Sequence, residues 1–135
     1  MPEGRNFFVD TERRAEQYGV GRHVVLRSVE VVPLSEQVLL ILVSLAEQPR
    51  HGYSILKSVD EMSDGRVMLS TGTLYGALRR LLEDRWIERF KEEESSRGRQ
   101  AYRLTARGRQ ILRAEVGRMK HLTKVASLRM APKEM

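Results

Sequence analysis

The 135-residue sequence contains no cysteine, few aromatic residues and no long apolar run. Without cysteine there is no disulfide framework, thiolate metal site or cysteine nucleophile, and this composition is typical of a reducing intracellular compartment. The longest apolar run, residues 38–43, has six residues, whereas a membrane-spanning helix needs roughly 20. We therefore expect a cytoplasmic protein with no membrane partner.

Catalytic motifs are also lacking. His23, His51 and His121 are isolated, with no acidic residue at metal-ligand spacing to them. The sequence has neither a glycine-rich phosphate loop nor a nucleophile elbow. We expect a protein that is not an enzyme and needs no metal or other cofactor.

Positive charge is present and unevenly distributed. The formal net charge is +6; residues 1–33 carry five Arg against five acidic residues, and residues 34–135 carry 19 Lys or Arg against 13. An excess of this kind favours a polyanionic partner such as double-stranded DNA, although many basic proteins bind no nucleic acid.

The sequence pattern divides the chain into three parts. Residues 1–33, with a candidate helix at 11–18 and a β-branched stretch at 24–32, are interpreted as an accessory or flexible N-terminal extension. Residues 34–104 contain an apolar helix after Ser35, a helix from Gly52, an extended stretch at 66–69, a third helix after Ser70 and a hairpin of strands at 87–91 and 100–104. Residues 105–135 form a final helix capped by Thr105 and a tail. This order predicts a mainly α winged helix-turn-helix domain with a small β-hairpin wing.

The third helix, within "STGTLYGALRRLLED", has one apolar and one bare side. At 100° per residue, Leu74, Ala77, Leu78, Leu81 and Leu82 point inward, opposite Gly72, Tyr75, Gly76, Arg79, Arg80 and Glu83. An exposed glycine costs about 1 kcal/mol in a helix relative to alanine, so close approach to a DNA major groove is a reason for keeping two. The candidate DNA contacts here are Ser70, Thr71, Gly72, Thr73, Tyr75, Arg79 and Arg80. The alternative is an ordinary solvated surface.

The hairpin tip offers a second DNA contact. Arg97 and Arg99 flank Gly98 there and are candidates for a minor groove or a pair of phosphates. The preceding run of three carboxylates, residues 92–94, repels DNA unless the tip turns it away, and a solvated loop is the alternative.

Three blocks, "HGYSILKSV", "STGTLYGALRRLLEDRWIE" and "RGRQAYRLTARGRQIL", resemble the signature blocks of PadR-type transcriptional regulators over about residues 34–112. The resemblance implies a winged-helix homodimer that binds palindromic operators. It implies that Tyr53, Thr73 and Tyr75 lie near the DNA backbone and that Arg97, Arg99 and Tyr102 belong to the wing. The single terminal helix resembles the smaller PadR subfamily, which dimerises through that helix together with the first helix.

Two positions depart from the family pattern. Thr71 replaces the usual proline at the first helical position, and Trp86 stands where many relatives carry glycine before the wing, which predicts a different turn there.

The terminal helix carries an apolar series at steps of three and four residues, which predicts the dimer contact. Its members are Leu112, Val116, Met119, Leu122 and Ala126. The alternative is that this face covers its own domain.

The resemblance also implies a small aromatic or drug-like effector held between subunits. The candidate effector contacts are Trp86, Phe90 and Met119, with ordinary core or interface packing as the alternative. The sequence as a whole predicts a sequence-specific DNA-binding repressor; the second hypothesis is a winged-helix module that binds a protein through the same bare side.

Overall fold

The computed structural model describes residues 24–26, 29–31, 33–91 and 100–132. Within these ranges the chain forms a mainly helical winged helix-turn-helix with a small antiparallel sheet, which confirms the predicted fold class. The elements are β1 (Val24–Leu26), β2 (Val29–Val31), α1 (Glu36–Glu47), β3 (Arg50–His51), α2 (Gly52–Met62), α3 (Thr71–Glu83), β4 (Ile87–Phe90), β5 (Ala101–Leu104) and α4 (Ala106–Met130). No helix of the described ranges is long and apolar enough to cross a membrane.

The wing sheet has the strand order β3-β5-β4, and both pairings are antiparallel. The predicted wing strands are confirmed to within one residue, with Ile87 opposite Leu104 and Phe90 opposite Ala101. The expected extended stretch at 66–69 forms no strand. The third strand is instead β3, which consists of the two residues directly after Pro49 and is defined only by its pairing with β5.

The N-terminal part of the described chain is a two-stranded hairpin. β1 and β2 pair antiparallel with Val24 opposite Val31, within the β-branched stretch singled out in the sequence. β2 lies beside α4. The candidate helix at 11–18 falls outside the described residues.

One core joins the three domain helices to the wing and to the start of α4. α1 contributes Ile41, Leu42 and Leu45, and the first turn is capped as predicted, because the Ser35 hydroxyl accepts a hydrogen bond from the Val38 amide at 3.3 Å. The buried apolar residues also include Ile55 and Val59 of α2, Leu74, Leu78 and Leu81 of α3, and Trp86, Ile87, Leu104 and Leu112. The expected burial of α1 is strongest on this side, while Leu39, Leu40 and Val43 are half-buried.

The turn that ends α3 also receives the start of α4. The Thr105 hydroxyl donates to the Arg85 carbonyl at 2.7 Å, and the Thr105 amide donates to the Trp86 carbonyl at 3.1 Å. A Cβ built on Gly108 would lie 1.9 Å from that same Trp86 oxygen, so only glycine fits. The left-handed residue of the turn is Arg85, with φ of 61°, and Trp86 is fully buried. The position in this turn that favours glycine is therefore 85 rather than 86.

Candidate nucleic-acid interface

The N-terminus of α3 is built as the sequence predicts. The Ser70 side chain accepts a hydrogen bond from the Thr73 amide at 3.1 Å and donates one to the Thr73 hydroxyl at 2.9 Å. These bonds fix the first turn in an exposed position. The other amides of the turn, together with the helix dipole, make it a favourable neighbour for a phosphate.

One side of α3 faces solvent along its first three turns. We call this surface the reading flank; it consists of Thr71, Gly72, Thr73, Tyr75, Gly76 and Arg79. All are exposed except Gly76, which is half-buried. The predicted inward side is buried at Leu74, Ala77, Leu78 and Leu81, and half-buried at Leu82. The prediction that this helix is amphipathic is confirmed.

The glycines of the reading flank have room around them. A Cβ built on Gly72 meets no heavy atom within 4 Å outside its own stretch of helix, and one on Gly76 meets only the end of the Arg80 side chain at 3.7 Å. Packing within the subunit therefore does not require glycine at either position. Any requirement for a small residue here comes from outside the subunit.

α2 and α3 pack closely together at Tyr75. A Cβ built on Gly52, the first residue of α2, would lie 2.3 Å from the Tyr75 hydroxyl oxygen and 2.9 Å from Cζ. The close packing of the Tyr75 ring on α2 thus depends on glycine at position 52. Tyr75 keeps 47% of its surface exposed, so its ring is held on one side and open on the other.

Tyr102 lies in the wing strand β5 and is nearly buried. It is 7% exposed, and in β5 it lies opposite Arg89 of β4. Burial raises the pKa of the Tyr102 phenol above its ordinary value; the Tyr75 phenol adds to this effect, and the Arg89 guanidinium opposes it. α2 and the reading flank are therefore in contact through Gly52 and Tyr75, and the Tyr102 phenol of the wing interacts electrostatically with that of Tyr75. The sequence indicated none of these pairings.

The remaining candidate DNA contacts differ in their surroundings. Tyr53, next to Gly52, is 67% exposed. Arg79 is exposed, whereas Arg80 is half-buried and its Nε is enclosed. Arg97 and Arg99 lie outside the described residues. The structure thus brings Tyr53, Tyr75 and Arg79 to one region and leaves Arg80 at its edge.

The predicted dimer series divides along α4. Leu112 is 7% exposed and belongs to the core of its own subunit. The other four members, Val116, Met119, Leu122 and Ala126, are exposed, and we call them the apolar stripe. Met119, Leu122 and Ala126 lie within about 60° of one another on the helix and share the side on which Leu112 is buried. The stripe therefore continues a face that the subunit covers only at its beginning.

The candidate effector contacts do not form one cavity within the subunit. Trp86 is fully buried in the core. The Phe90 ring is covered by the Arg103 guanidinium, whose Cζ lies 4.7 Å from the ring centroid. Met119, on the apolar stripe, is 40% exposed. Within the part of the chain that the structure describes, no group of three or more His, Cys, Asp or Glu is placed to hold a metal ion.

Comparison with known proteins gives consistent matches. Residues 41–114 match the family model described as the transcriptional regulator PadR-like family. A PadR family transcription regulator from Clostridium difficile is 31% identical, with a TM-score of 0.60 over 70% of this chain and 98% of that one. A transcriptional regulator from Clostridium thermocellum is 26% identical, with a TM-score of 0.58 over 70% and 92%.

A curated relative is a longer protein, of which this chain spans about a quarter. It is described as an uncharacterized 37.1 kDa protein in transposon TN4556 of Streptomyces fradiae, and it is 41% identical over 86 residues. That match covers 63% of this chain but 23% of the relative. The family model covers more than half of the chain and agrees with the winged-helix geometry and with the motifs around Gly52, Ser70 and Tyr102. The chain belongs to the PadR-like family of transcriptional regulators.

Proposed function

We propose that this protein is a cytoplasmic repressor that binds a palindromic operator as a homodimer, with α3 in the major groove and the wing on the DNA backbone. The observation that carries the proposal is the reading flank, a small, hydroxyl-bearing and cationic surface that starts at a capped helix N-terminus. Thr71, Thr73 and Tyr75 supply hydrogen-bond groups, and Arg79 supplies a base-edge donor. A protein-binding groove favours apolar surface instead, which argues against the interaction-module alternative.

Homodimerisation is the second part of the proposal. Two reading helices must lie about 34 Å apart to enter successive major grooves. The apolar stripe supports pairing through α4, since an exposed apolar series of this kind marks an interaction surface. Residues 34–104 then read DNA and residues 105–135 pair the subunits.

A small aromatic effector that releases the protein from DNA fits the proposal only if it binds where two subunits meet. Trp86 is enclosed by its own core, and Phe90 is engaged by Arg103. Met119 is the one of the three expected contacts that is exposed on the stripe, so an effector would bind between two copies of α4.

The test is selection from a random duplex pool followed by affinity measurement. We expect the protein to enrich a palindrome and its affinity to fall steeply with salt, because bound phosphates release counterions. Arg79→Ala should lose about 10- to 100-fold in discrimination at one base pair of each half-site. Arg97→Ala should weaken binding to all sequences alike.

Arg113→Ala serves as the charge-matched control, because Arg113 is exposed on α4 away from the reading flank. It should leave the selected sequence unchanged. Equal losses on operator and random DNA for Arg79→Ala would refute base reading by Arg79, and failure of the wild type to enrich any sequence would refute the proposed function.

A further inference from the structure

Glu115 is a fully buried carboxylate with a complete set of partners. It is 1% exposed, and its Oε2 accepts a hydrogen bond from the Leu34 amide at 3.0 Å. Arg118 donates from Nε to Oε1 and from Nη2 to Oε2, both at 2.8 Å. The hydrogen bonds to Glu115 raise the pKa of Arg118 above its ordinary value. This bidentate pair fixes direction as well as distance.

The pair stands where α4 leaves the domain. On the same side of the helix, Gly108 and Leu112 before it are buried, whereas Met119 and Leu122 after it are exposed. Glu115 is therefore the last fully buried residue of α4. Through Leu34 it ties the helix to the segment that leads into α1.

A small change of angle at this point has a large effect at the far end. Residues 116–130 extend roughly 22 Å beyond the pair at 1.5 Å per residue. A tilt of about 10° there displaces the end of α4 by about 4 Å, which exceeds the rise of one base pair. In a dimer paired through α4, such a tilt changes the distance between the two reading helices.

Stability alone does not account for an ion pair at this position. Glu115 is fully buried, while Arg118 keeps 21% of its side-chain surface exposed. Replacing a buried ion pair with apolar residues of similar size is often neutral or stabilising, because burial removes hydration from the charges. What an apolar pair does not supply is a carboxylate that is held in one orientation by two bonds from Arg118 while it also accepts from the Leu34 amide. We infer that Glu115 and Arg118 are positioning residues that set the half-site spacing the dimer accepts; the inference rests on the proposed operator-binding dimer.

The test compares operators that differ only in half-site spacing. The selected half-sites are placed at the best spacing and at one and two base pairs more and less, and affinities are measured for the full chain. For the wild type we expect at least a tenfold loss for a one-base-pair change. For Glu115→Gln combined with Arg118→Met, we expect the five affinities to fall within about threefold of one another.

The double variant is chosen so that it folds. The glutamine carbonyl can still accept from the Leu34 amide, and no unpaired charge is buried. Its affinity for an isolated half-site should equal that of the wild type, which a general loss of structure would not allow. Arg113→Lys, at an exposed position of α4, is the control and should keep the wild-type spacing profile.

A second measurement needs no DNA. Because the chain has no cysteine, a single spin label at Lys57→Cys, exposed on α2, reports the distance between subunits. We expect one narrow distribution for the wild type and a distribution at least twice as wide for the double variant.

A spacing profile in the folded double variant that superimposes on that of the wild type would overturn the inference, as would equal label distributions. A wild type that selects no DNA sequence yet shows the narrow distribution would overturn the proposed function, and the half-site spacing with it, but would leave Glu115 and Arg118 as residues that fix the angle of α4. A wild type that selects a palindrome but tolerates every spacing would overturn only the positioning role.

Discussion

The reading flank and the apolar stripe are both exposed, yet they differ in every chemical respect. The flank on α3 has glycine, hydroxyl and guanidinium groups, whereas the stripe on α4 has methyl, methylene and thioether groups. A polar flank is stable in water without a cover, but a continuous apolar series is not. Exposure therefore has a different consequence for each surface. The flank suits a partner such as DNA that binds intermittently, whereas the stripe favours a partner that stays bound.

The largest effect is expected from making the stripe resemble the flank. Met119→Asp combined with Leu122→Asp places two charges on the pairing face, and we expect monomers by analytical ultracentrifugation. Operator affinity should fall by at least about 100-fold, because the second half-site loses its high effective concentration. The unfolding midpoint of the monomer should be unaffected by the two aspartates in themselves, since both side chains are exposed in the subunit.

Leu128→Asp is the matched control for that variant. Leu128 is 68% exposed and lies on the other side of α4. It should leave the protein dimeric. If the stripe variant also remains dimeric at micromolar concentration, then α4 does not pair the subunits through this face.

An intermediate effect is expected at the support of the flank. Gly52→Ala pushes the Tyr75 ring out of place, because the new Cβ would lie 2.3 Å from its hydroxyl oxygen. We expect a loss of about 1 to 3 kcal/mol in the free energy of unfolding, measured with urea. Operator affinity should fall about tenfold as Tyr75 and the first turn of α2 move apart, measured by fluorescence anisotropy.

Adding Tyr75→Phe to Gly52→Ala removes the atom of closest approach. The double variant should recover part of the stability lost by Gly52→Ala. No difference between the single and double variants would show that the strain is relieved elsewhere than at the tyrosine hydroxyl.

The smallest effect is expected from adding one methyl group to the flank itself. Gly72→Ala meets open space within the subunit, so the free energy of unfolding should rise by about 0.5 kcal/mol. Operator affinity should nevertheless fall several-fold if DNA approaches the bare backbone at this position. Stability and binding then change in opposite directions.

Gly117→Ala is its control, because a Cβ on that glycine of α4 also meets nothing within 4 Å. It should give the same gain in stability with no change in operator affinity. Unchanged operator affinity for Gly72→Ala would mean that the bare surface of α3 has no part in binding.

Local signals predicted the helices and the wing well. Ser35, Ser70 and Thr105 cap α1, α3 and α4 as expected, since a cap involves residues only three apart. The 3.6-residue period likewise identified the buried side of α3. The periodicity of α4 was equally clear, but it did not indicate that the cover ends after Glu115.

The features that sequence reasoning missed all depend on contacts between distant residues. β3 has two residues and exists only through β5. Gly52 begins α2 as predicted, but no local signal indicates its close approach to Tyr75 of another helix. Glu115 carries no local signal of its burial, because its bond to the Leu34 amide spans 81 positions. The resemblance places the glycine position of this turn at Trp86, one residue late. Only the backbone angle identifies Arg85 as the left-handed residue.

The docking of α4 on the turn after α3 has a consequence for how the family diversifies. Thr105 and Gly108 contact the carbonyls of Arg85 and Trp86. The hairpin of β4 and β5 therefore begins and ends beside the same turn. The length of this hairpin can therefore change during evolution without changing how α4 docks on the turn after α3. We therefore expect variants of this chain with a longer or shorter hairpin to keep the same position of α4 relative to α3.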